Sequence, residues 1–265
     1  MPSSSQPASP RRESSSSLNR SLERGIEILR AFAPGATLLS NSELVERTGL
    51  PKATVSRLAA TLVEAGFLEH DPTRRAYRLG IPVLSLAQAM RSGSSLLQAA
   101  APMMRETAQR LRINVGIAGA DGEEMVYLES VRYSARASLR TVVSGQRVPM
   151  ELTSLGRAWL AMQTPADFMS IVERFRRRKR PGWAALENEI ADAVRTVHQR
   201  GYCVASWQPE VIALATPLAI PGHRLVVLNF SVRTTDPLET VVASLAPPLL
   251  SLRDEIVTAT MHLEG

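Results

Sequence analysis

Residues 40–80 read SNSELVERTGLPKATVSRLAATLVEAGFLEHDPTRRAYRLG, and this stretch decides the fold of the N-terminal part of the chain. Ser40 and Glu43 have the spacing of a capping box, so a helix is predicted to begin there. Gly49 ends that helix, because glycine adopts the left-handed conformation after a helix without steric cost. Pro51 opens a second helix, since its φ already suits a first turn. The stretch therefore predicts two short helices joined by a tight turn.

The second predicted helix has an apolar face and a polar face. Val55, Leu58 and Leu62 recur at helical spacing, which predicts the buried face. The other face, towards the N-terminal half of the helix, carries Lys52, Thr54, Ser56 and Arg57. Side chains of these types at this end of a recognition helix read base edges or bind phosphates.

A hairpin follows the second helix. Gly66 closes the helix, and Phe67–His70 and Arg75–Leu79 flank a loop with the composition of a turn. Helix, turn, helix and hairpin in this order predict a winged helix-turn-helix. Arg74 and Arg75 near the tip of the wing suit contacts with phosphates or the minor groove.

Eight residues form the predicted DNA-binding set. They are Arg24, Ser40, Lys52, Thr54, Ser56, Arg57, Arg74 and Arg75. Any one of these cations alone reads as an ordinary solvated charge on a helical pair. Together, on a helix-turn-helix followed by a basic wing, they favour binding to double-stranded DNA.

Composition agrees with this interpretation without proving it. The chain has 265 residues, enough for one large or two ordinary domains, and a formal net charge of +6. The first 80 residues hold 11 Lys or Arg and 8 Asp or Glu, so the density of positive charge is higher there and suits an anionic partner. Cys203 is the single cysteine, which excludes an intrachain disulfide and fits the cytoplasm. No apolar run reaches about 18 residues, so no membrane contact is expected.

The chain is predicted to contain four segments. Residues 1–20 are Ser/Pro-rich without an apolar leader segment and predict a disordered tail rather than a secretory signal. Residues 21–80 form the winged helix-turn-helix, whose first helix spans 21–32 with Ser21 as N-cap. Residues 81–94 form a linker helix ending at a hinge. Residues 95–265 form the second domain.

The second domain is predicted to be α+β with a mainly antiparallel sheet. Strand-like stretches lie at Asn114–Gly119, Met125–Val131, Ser138–Val143, Tyr202–Ser206, Val211–Leu218 and Arg224–Val232. Helices are expected at 95–111, 153–162, after Pro165, at 184–199 and at 237–261. The basic run 174–183 is predicted to be a loop, either solvated or in contact with an acidic surface of another subunit, with a second nucleic-acid patch as the alternative.

The chain resembles the IclR family of bacterial transcriptional regulators. The matching stretches are SLERGIEIL (21–29), SELVERTGLPKATVSRLAATLVEAGFLEHD (42–71), YRLG (77–80), VYLESV (126–131), GQRVPMELTSLGRAWLA (145–161), RGYCV (200–204) and ALATPL (213–218). The resemblance implies a winged helix-turn-helix joined by a linker helix to a GAF-like effector-binding domain. It implies homodimers, often paired into tetramers, that bind palindromic operators and respond to a small organic effector, often a carboxylate or an aromatic compound.

The resemblance also implies where the effector binds. The pocket is expected between the sheet and the segment around Thr153–Gly156, with the strands that carry Cys203, Ala213 and Ser231 on its other side. Family members often have histidine and lysine where this chain has Met150 and Arg157. Met150 is therefore expected to make the pocket mouth more apolar and to favour a larger or more apolar ligand.

The residues themselves support the same region. Thr153 and Ser154 begin a predicted helix and form either an anion site or a simple cap. Trp207 and Glu210 are expected in a loop that closes over a ligand, with an ordinary core or interface position as the alternative for Trp207. Asn229 and Ser231 share one face of a strand, which is either a ligand-binding face or an exposed one. The complete predicted effector-binding set is Met150, Thr153, Ser154, Leu155, Gly156, Cys203, Trp207, Glu210, Ala213, Asn229 and Ser231.

Signals for an enzyme are weak. The four histidines are scattered without metal-ligand spacing, and no phosphate-binding glycine motif or nucleophile elbow is present, so no cofactor or catalytic residue is predicted. Cys203 near His198 resembles a nucleophile pair, but an inert buried cysteine is favoured.

The sequence predicts a ligand-responsive regulator of a catabolic operon, in which ligand shifts the DNA-binding heads through the linker helix. Its rivals are a small-molecule enzyme with a helical dimerisation domain and an architectural DNA-binding protein without a ligand response.

Overall fold

A computed structural model describes residues 19–133 and 143–264. The chain divides into two compact units, the first ending at Val83 and the second beginning at Leu84. Both units combine helices with antiparallel strands, so the predicted α+β class is confirmed. Of the predicted tail over 1–20, only Asn19 and Arg20 belong to the described residues, and Arg20 already begins the first helix.

The first unit is a winged helix-turn-helix, as predicted. Its elements are α1 Arg20–Arg30, β1 Leu39–Ser40, α2 Asn41–Thr48, α3 Lys52–Glu64, β2 Leu68–Asp71 and β3 Ala76–Leu79, and α4 Ile81–Ser92 follows them. The small sheet has the antiparallel order β1-β3-β2. The sequence predicted the hairpin of β2 and β3 but not the third strand β1.

Local capping signals set the helix ends in this unit. The box predicted at α2 is complete, because the Glu43 backbone N–H donates to Ser40 Oγ at 3.3 Å and the Ser40 N–H donates to Glu43 Oε2 at 2.7 Å. Gly49 follows α2 with a φ of 68°. The prediction of Ser21 as the cap of α1 is wrong, since Asn19 Oδ1 accepts from the Ser21 N–H at 3.2 Å. Asparagine caps as well as serine, and here it stands immediately before the helix.

The second unit is a six-stranded sheet between two layers of helices. Its elements are α5 Ser95–Leu111, β4 Asn114–Asp121, β5 Glu124–Val131, β6 Arg147–Pro149, α6 Ser154–Leu160, α7 Pro165–Arg177, α8 Trp183–Arg200, β7 Cys203–Ala205, β8 Val211–Leu218, β9 Val226–Arg233 and α9 Leu238–Glu264. The strands pair antiparallel in the order β6-β5-β4-β9-β8-β7. The predicted strand at Ser138–Val143 lies outside the described residues except for Val143, and β6 was not predicted. No helix in the described ranges is long and apolar enough to span a membrane.

Successive side chains along each strand point to opposite faces of the sheet, so they pack against two different layers of helices. On one face Ile117, Leu214 and Phe230 pack with residues of α5 and α9. On the other face Tyr127 and Val227 belong to a core shared with α6, α7 and α8. The site described below lies on this second face.

The basic run at 174–183 is only partly the loop that was predicted, since the loop covers 178–182. Helix α7 continues through its first residues, and the arginines pair with carboxylates of their own unit. Arg174 Nε lies 3.0 Å from Glu123 Oε1, and Arg178 Nη1 lies 3.0 Å from Glu151 Oε1. These arginines are thus partly exposed and paired within their own unit, and contact with an acidic surface of another subunit stays a prediction. Pairing between residues that lie 51 and 27 positions apart in the sequence cannot be predicted from a local pattern.

Candidate functional sites: a cationic winged helix and a buried cavity

Helix α3 separates a buried face from an exposed one. Val55 is fully buried and Leu58 is nearly so, as predicted. The opposite side carries the exposed or half-buried polar residues Lys52, Thr54, Ser56 and Arg57. Within the described residues, neither Lys52 nor Arg57 has an ion-pair partner, so both cations remain available to a phosphate or a base edge.

The tip of the wing presents two exposed arginines. β2 and β3 pair up to Asp71 and Ala76, so the turn spans residues 72–75, one position later than predicted. Arg75 has a φ of 49°, and the Arg74 N–H donates to Asp71 Oδ1 at 3.0 Å. This hydrogen bond lowers the pKa of Asp71. The turn is thereby closed by Asp71, while both guanidinium groups are left at the surface.

The two remaining residues of the predicted DNA-binding set lie elsewhere. Arg24 is half-buried on α1. Ser40 Oγ donates to Glu43 Oε2 at 2.7 Å and accepts from the Glu43 N–H, so its hydroxyl serves the cap of α2. The geometry therefore gives Ser40 a structural role, and its contact with DNA stays a prediction.

A cavity of about 410 Å³ opens on the second face of the six-stranded sheet. Its size falls within the range of about 300–1,000 Å³ that small-molecule sites occupy. Its lining residues are Asn114, Val115, Gly116, Tyr127, Ser130, Arg132, Val148, Thr153, Ser154, Leu155, Trp207, Gln208, Pro209, Val211, Ala213, Asn229, Ser231, Val232 and Arg233. Seven of the residues predicted for effector binding are among them: Thr153, Ser154, Leu155, Trp207, Ala213, Asn229 and Ser231.

Small residues in register leave the room for this cavity. Gly116 on β4 and Ala215 on β8 both stand opposite Asn229 on β9, and Ala213 stands opposite Ser231. A Cβ added to Gly116 would lie 2.6 Å from Asn229 Oδ1 and 2.5 Å from a ring carbon of Tyr127. Glycine is thus required at this position for the amide and the phenol ring to share one end of the cavity.

The polar groups at that end are buried and neutral. Asn229 is 3% exposed, and its Oδ1 has no hydrogen-bond partner among the described residues. Burial raises the pKa of Tyr127 to about 12, against a smaller opposite effect of the Asn229 side chain, so the phenol keeps its proton. Thr153 Oγ1 donates to the Pro149 carbonyl at 2.9 Å and accepts from the Gly156 N–H at 3.2 Å, which makes Thr153 a true N-cap.

Four residues of the predicted effector-binding set do not line the cavity: Met150, Gly156, Cys203 and Glu210. Met150 is fully buried in the core under α6, so its predicted place at the pocket mouth is wrong. Gly156 faces the backbone of Met150, where an added Cβ would lie 2.0 Å from the carbonyl oxygen. These two residues set the close approach of α6 to the preceding turn and offer no surface to a ligand.

Cys203 and Glu210 do not line the cavity, for two different reasons. Cys203 is fully buried, its Sγ lies 3.4 Å from the Ser154 carbonyl oxygen, and burial raises the pKa of the thiol to about 12. Glu210 has a φ of 60° and points to Arg233, whose Nε lies 3.1 Å from Glu210 Oε2. Cys203 is therefore core, and Glu210 braces the loop that carries Trp207.

Sequence reasoning missed several lining residues, above all Tyr127, Gly116, Arg132 and Arg233. Only Gly116 carried a readable signal, because glycine inside a strand indicates close approach of another group. Tyr127 lies beside Asn229 only through the order and register of β5, β4 and β9. That register depends on contacts between distant segments.

Comparison with known proteins identifies both units. Residues 21–72 match the model of the IclR helix-turn-helix domain, and residues 88–227 match that of the bacterial transcriptional regulator IclR C-terminal domain. The HTH-type transcriptional regulator TsaQ1/TsaQ2 of Comamonas testosteroni is 37% identical over 196 residues, which are 73% of this chain and 69% of that protein.

Solved structures of IclR-family proteins have the same fold as this chain. An IclR family transcriptional regulator from Brucella abortus has 32% identity and a TM-score of 0.83, covering 93% of this chain and 94% of its own. An IclR homolog from Microbacterium hydrocarbonoxydans, complexed with 4-hydroxybenzoate, has the same fold at 21% identity, with a TM-score of 0.70 over 91% of this chain and 99% of its own. On these matches, the chain belongs to the IclR family of bacterial transcriptional regulators.

Proposed function

We propose that this regulator binds a palindromic operator as a symmetric dimer. Its affinity for that operator changes when a small organic acid binds in the cavity. The observation that carries the proposal is the presence, in one chain, of cations on α3 that have no ion-pair partner among the described residues and of a ligand-sized cavity in the second unit. The regulated genes would be a catabolic operon for the ligand or its precursor.

The DNA contacts divide by position. Arg57, near the N-terminal half of α3, reads a base edge, because a guanidinium forks onto guanine in the major groove. Lys52 binds phosphate or guanine from the first turn of the same helix. Arg74 and Arg75 on the wing bind phosphates or the minor groove and fix the orientation of the protein. Half-buried Arg24 is a weaker candidate of the same kind.

The ligand is proposed to be a small aromatic acid. The cavity volume and its mixture of apolar and neutral polar lining suit a monocyclic compound. The 4-hydroxybenzoate bound by the relative from Microbacterium hydrocarbonoxydans supports this class.

Helix α4 is proposed to form part of the dimer interface. None of its residues is buried, although it presents Ile81 at 77%, Leu84 at 73%, Leu86 at 59% and Met90 at 54% exposure. A helix that is apolar on most sides is normally covered, and a second copy of the chain supplies the cover. Ile81→Glu with Leu84→Glu is expected to shift the mass in sedimentation from dimer towards monomer. An unchanged mass would refute this interface.

The same helix is proposed to carry the ligand signal. Arg91, in its last turn, donates to the Leu128 carbonyl and lies 2.5 Å from Glu129 Oε2 through Nη2. Both partners are on β5, the strand that also gives Tyr127 and Ser130 to the cavity. A ligand that moves β5 therefore acts directly on the end of α4. Coupling requires that the ligand bind two arrangements of this contact unequally.

We propose that the protein catalyses no reaction. A thiol with a pKa near 12 is protonated at neutral pH and is a poor nucleophile, and exposed His198 makes no contact with it in the described structure. The described residues also contain no cluster of three or more His, Cys, Asp or Glu that would hold a metal ion. These points weigh against the rival interpretation as an enzyme.

The test is binding of the purified full-length protein to its own upstream intergenic DNA across a salt series, with random DNA as competitor. Arg57→Ala is expected to relax base preference, whereas Arg74→Ala should weaken binding to all sequences and reduce the salt slope by about 1. Arg110→Ala, an exposed cation on α5, is the matched control and should change neither.

The outcomes separate the rival functions. Tight, competitor-resistant binding with a steep salt slope supports the regulator. Equal affinity for random DNA would overturn sequence-specific binding in favour of an architectural protein. No binding even at low salt would refute the assignment of the first unit.

A further inference from the structure

The side of α3 that faces away from the core is a narrow line of exposed residues. Val55, Leu58 and Ala59 are the buried residues of this helix, and α1, α2 and β2 contact it. At about 3.6 residues per turn, the side opposite the buried residues is formed by four exposed residues: Ala53, Arg57, Ala60 and Glu64. This outward line is the part of α3 that is left to enter a groove of DNA.

Arg57 stands between two methyl groups on the outward line. Ala53 precedes it by four residues and Ala60 follows it by three, so the three Cβ atoms are spaced by about 6 Å and about 4.5 Å along the helix axis. Neighbouring bases of one DNA strand are about 3.4 Å apart. When Arg57 contacts one base pair, both methyl groups therefore face base pairs within about two steps of it.

The charges around this stretch define where base reading begins and ends. Lys52 comes one residue before Ala53 and so lies about 100° around the helix, where its ammonium group suits a phosphate. Glu64 ends the outward line, and phosphates repel its carboxylate. Arg57 has no ion-pair partner within the described ranges, and its guanidinium group can fork onto guanine.

An alanine that faces a base edge discriminates through the groups that its side chain lacks. The methyl group has no donor and no acceptor, so an amino group or a ring nitrogen placed against it would lose water without gaining a hydrogen bond, which is unfavourable. Thymine instead presents its C5 methyl group in the major groove. Contact between two methyl groups removes apolar surface from water and is favourable.

We propose that α3 recognises a guanine flanked by thymines in each half of the operator. Arg57 binds the guanine, and Ala53 and Ala60 contact the C5 methyl groups of thymines within about two base pairs on either side. The two alanines are therefore specificity-determining residues, although neither has a polar side chain. This inference rests on the proposed operator binding and extends it to the bases that are read and the atoms that read them.

The experiment first selects the tightest-binding duplexes from random-sequence DNA with the full-length protein. Each thymine beside the selected guanine is then replaced by uracil, which removes the C5 methyl group and keeps the hydrogen-bonding edge. Affinity is measured by fluorescence anisotropy at one salt concentration. We expect each uracil to weaken binding about fourfold, the value of one buried methyl group. Uracil placed in the flanking DNA outside the half-sites is the control and should change nothing.

Variants assign each methyl contact to one alanine. Ala53→Gly and Ala60→Gly, made separately, should each bring the ratio of thymine to uracil affinity close to one at one position and leave it near four at the other. Glycine also weakens the helix, but that loss applies equally to both duplexes and leaves the ratio unchanged. Ala65→Gly is the matched control, because Ala65 is exposed at the end of the same helix and lies off the outward line. It should keep both ratios.

The outcomes separate this inference from the proposed function. A specific site whose thymines tolerate uracil without loss of affinity would overturn methyl recognition while operator binding stands. A selected half-site without thymine beside the guanine, or ratios unchanged in both Ala53→Gly and Ala60→Gly, would overturn it in the same way. If no duplex is preferred over random DNA, the proposed operator binding itself fails.

Discussion

Replacing Gly156 with alanine tests how closely α6 is seated over the cavity. An ideal Cβ at this position would lie 2.0 Å from the Met150 carbonyl oxygen, 2.4 Å from its Cα and 2.5 Å from its carbonyl carbon. Ordinary contacts begin near 3.4 Å, so the two segments must separate by roughly 1.4 Å. All three obstacles are backbone atoms, which cannot rotate away as a flexible side chain does.

The size of the effect follows from that displacement. Overpacking of a core costs about 1–3 kcal/mol, and an obstacle made of backbone places this change at about 3 kcal/mol. For a unit of this size, about 1 kcal/mol corresponds to a shift of about 2–4 °C, so the melting temperature of the second unit should fall by about 6–12 °C. Ligand affinity should fall as well, because Ser154 and Leu155 on the displaced helix line the cavity.

The assay is calorimetric unfolding of the full-length protein beside a matched glycine change. Gly119→Ala, in β4 of the same sheet, is the control, since its added Cβ would meet only side-chain carbons of Leu128 and Val226 at 3.8 Å. The control should melt at or slightly above the wild-type temperature. A melting temperature of Gly156→Ala within about 2 °C of the wild type, a shift that corresponds to less than about 1 kcal/mol, would refute the predicted backbone clash.

Three further predictions concern other parts of the chain. Ser40→Ala removes the N-cap of α2 and should cost about 1 kcal/mol in urea unfolding at neutral pH. The backbone N–H of Ser40 and then its hydroxyl donate to Glu43 and lower the pKa of that carboxyl, and Ser40→Ala removes only the hydroxyl bond. The part of the penalty that this bond contributes is complete above the ordinary carboxylate pKa and is lost as pH falls through the lowered value, whereas the part from the Glu43 N–H to Ser40 Oγ bond persists; a penalty that grows in acid would contradict this. Cys203 should resist iodoacetamide at mildly alkaline pH and react fully in denaturing urea, because the buried thiol stays protonated; rapid labelling of the native protein would contradict this. Arg91→Gln should leave ligand affinity unchanged but reduce the coupling between ligand and operator, typically about 1–3 kcal/mol, since the contact with Glu129 is lost; unchanged coupling in operator-binding titrations would refute the role given to Arg91.

Patterns confined to a few neighbouring residues predicted most of the secondary structure. The capping box of Ser40 and Glu43, the stop at Gly49 and the apolar spacing of Val55 and Leu58 all appear in the structure. Strand β8 has the predicted bounds, Val211–Leu218. These signals succeed because a cap, a turn or a helix face depends on atoms only two to four positions apart.

Errors arose where distant charges or competing caps decide the outcome. The arginines at 174–183 looked like a solvated run, yet Glu123 and Glu151 pair with them and helix α7 extends into the run. Ser21 had the chemistry of an N-cap, but Asn19 holds that role two residues earlier. In both cases the local sequence pattern allowed more than one structure, and contacts outside the pattern determined which one forms.

The sequence alone determined that this chain carries a winged helix-turn-helix with a cationic recognition helix, followed by an α+β domain. These features depend on the spacing of apolar, capping and turn residues over a few neighbouring positions. It also placed Thr153, Asn229 and Ser231 on a candidate ligand surface. Only the tertiary structure decided which residues share the cavity. It added Tyr127 and Gly116, which meet Asn229 through the register of three strands, and it removed Met150 into the core. The physical reason is that alternation in one strand tells which residues share a face, whereas the partner strand and the helix above fix what that face meets.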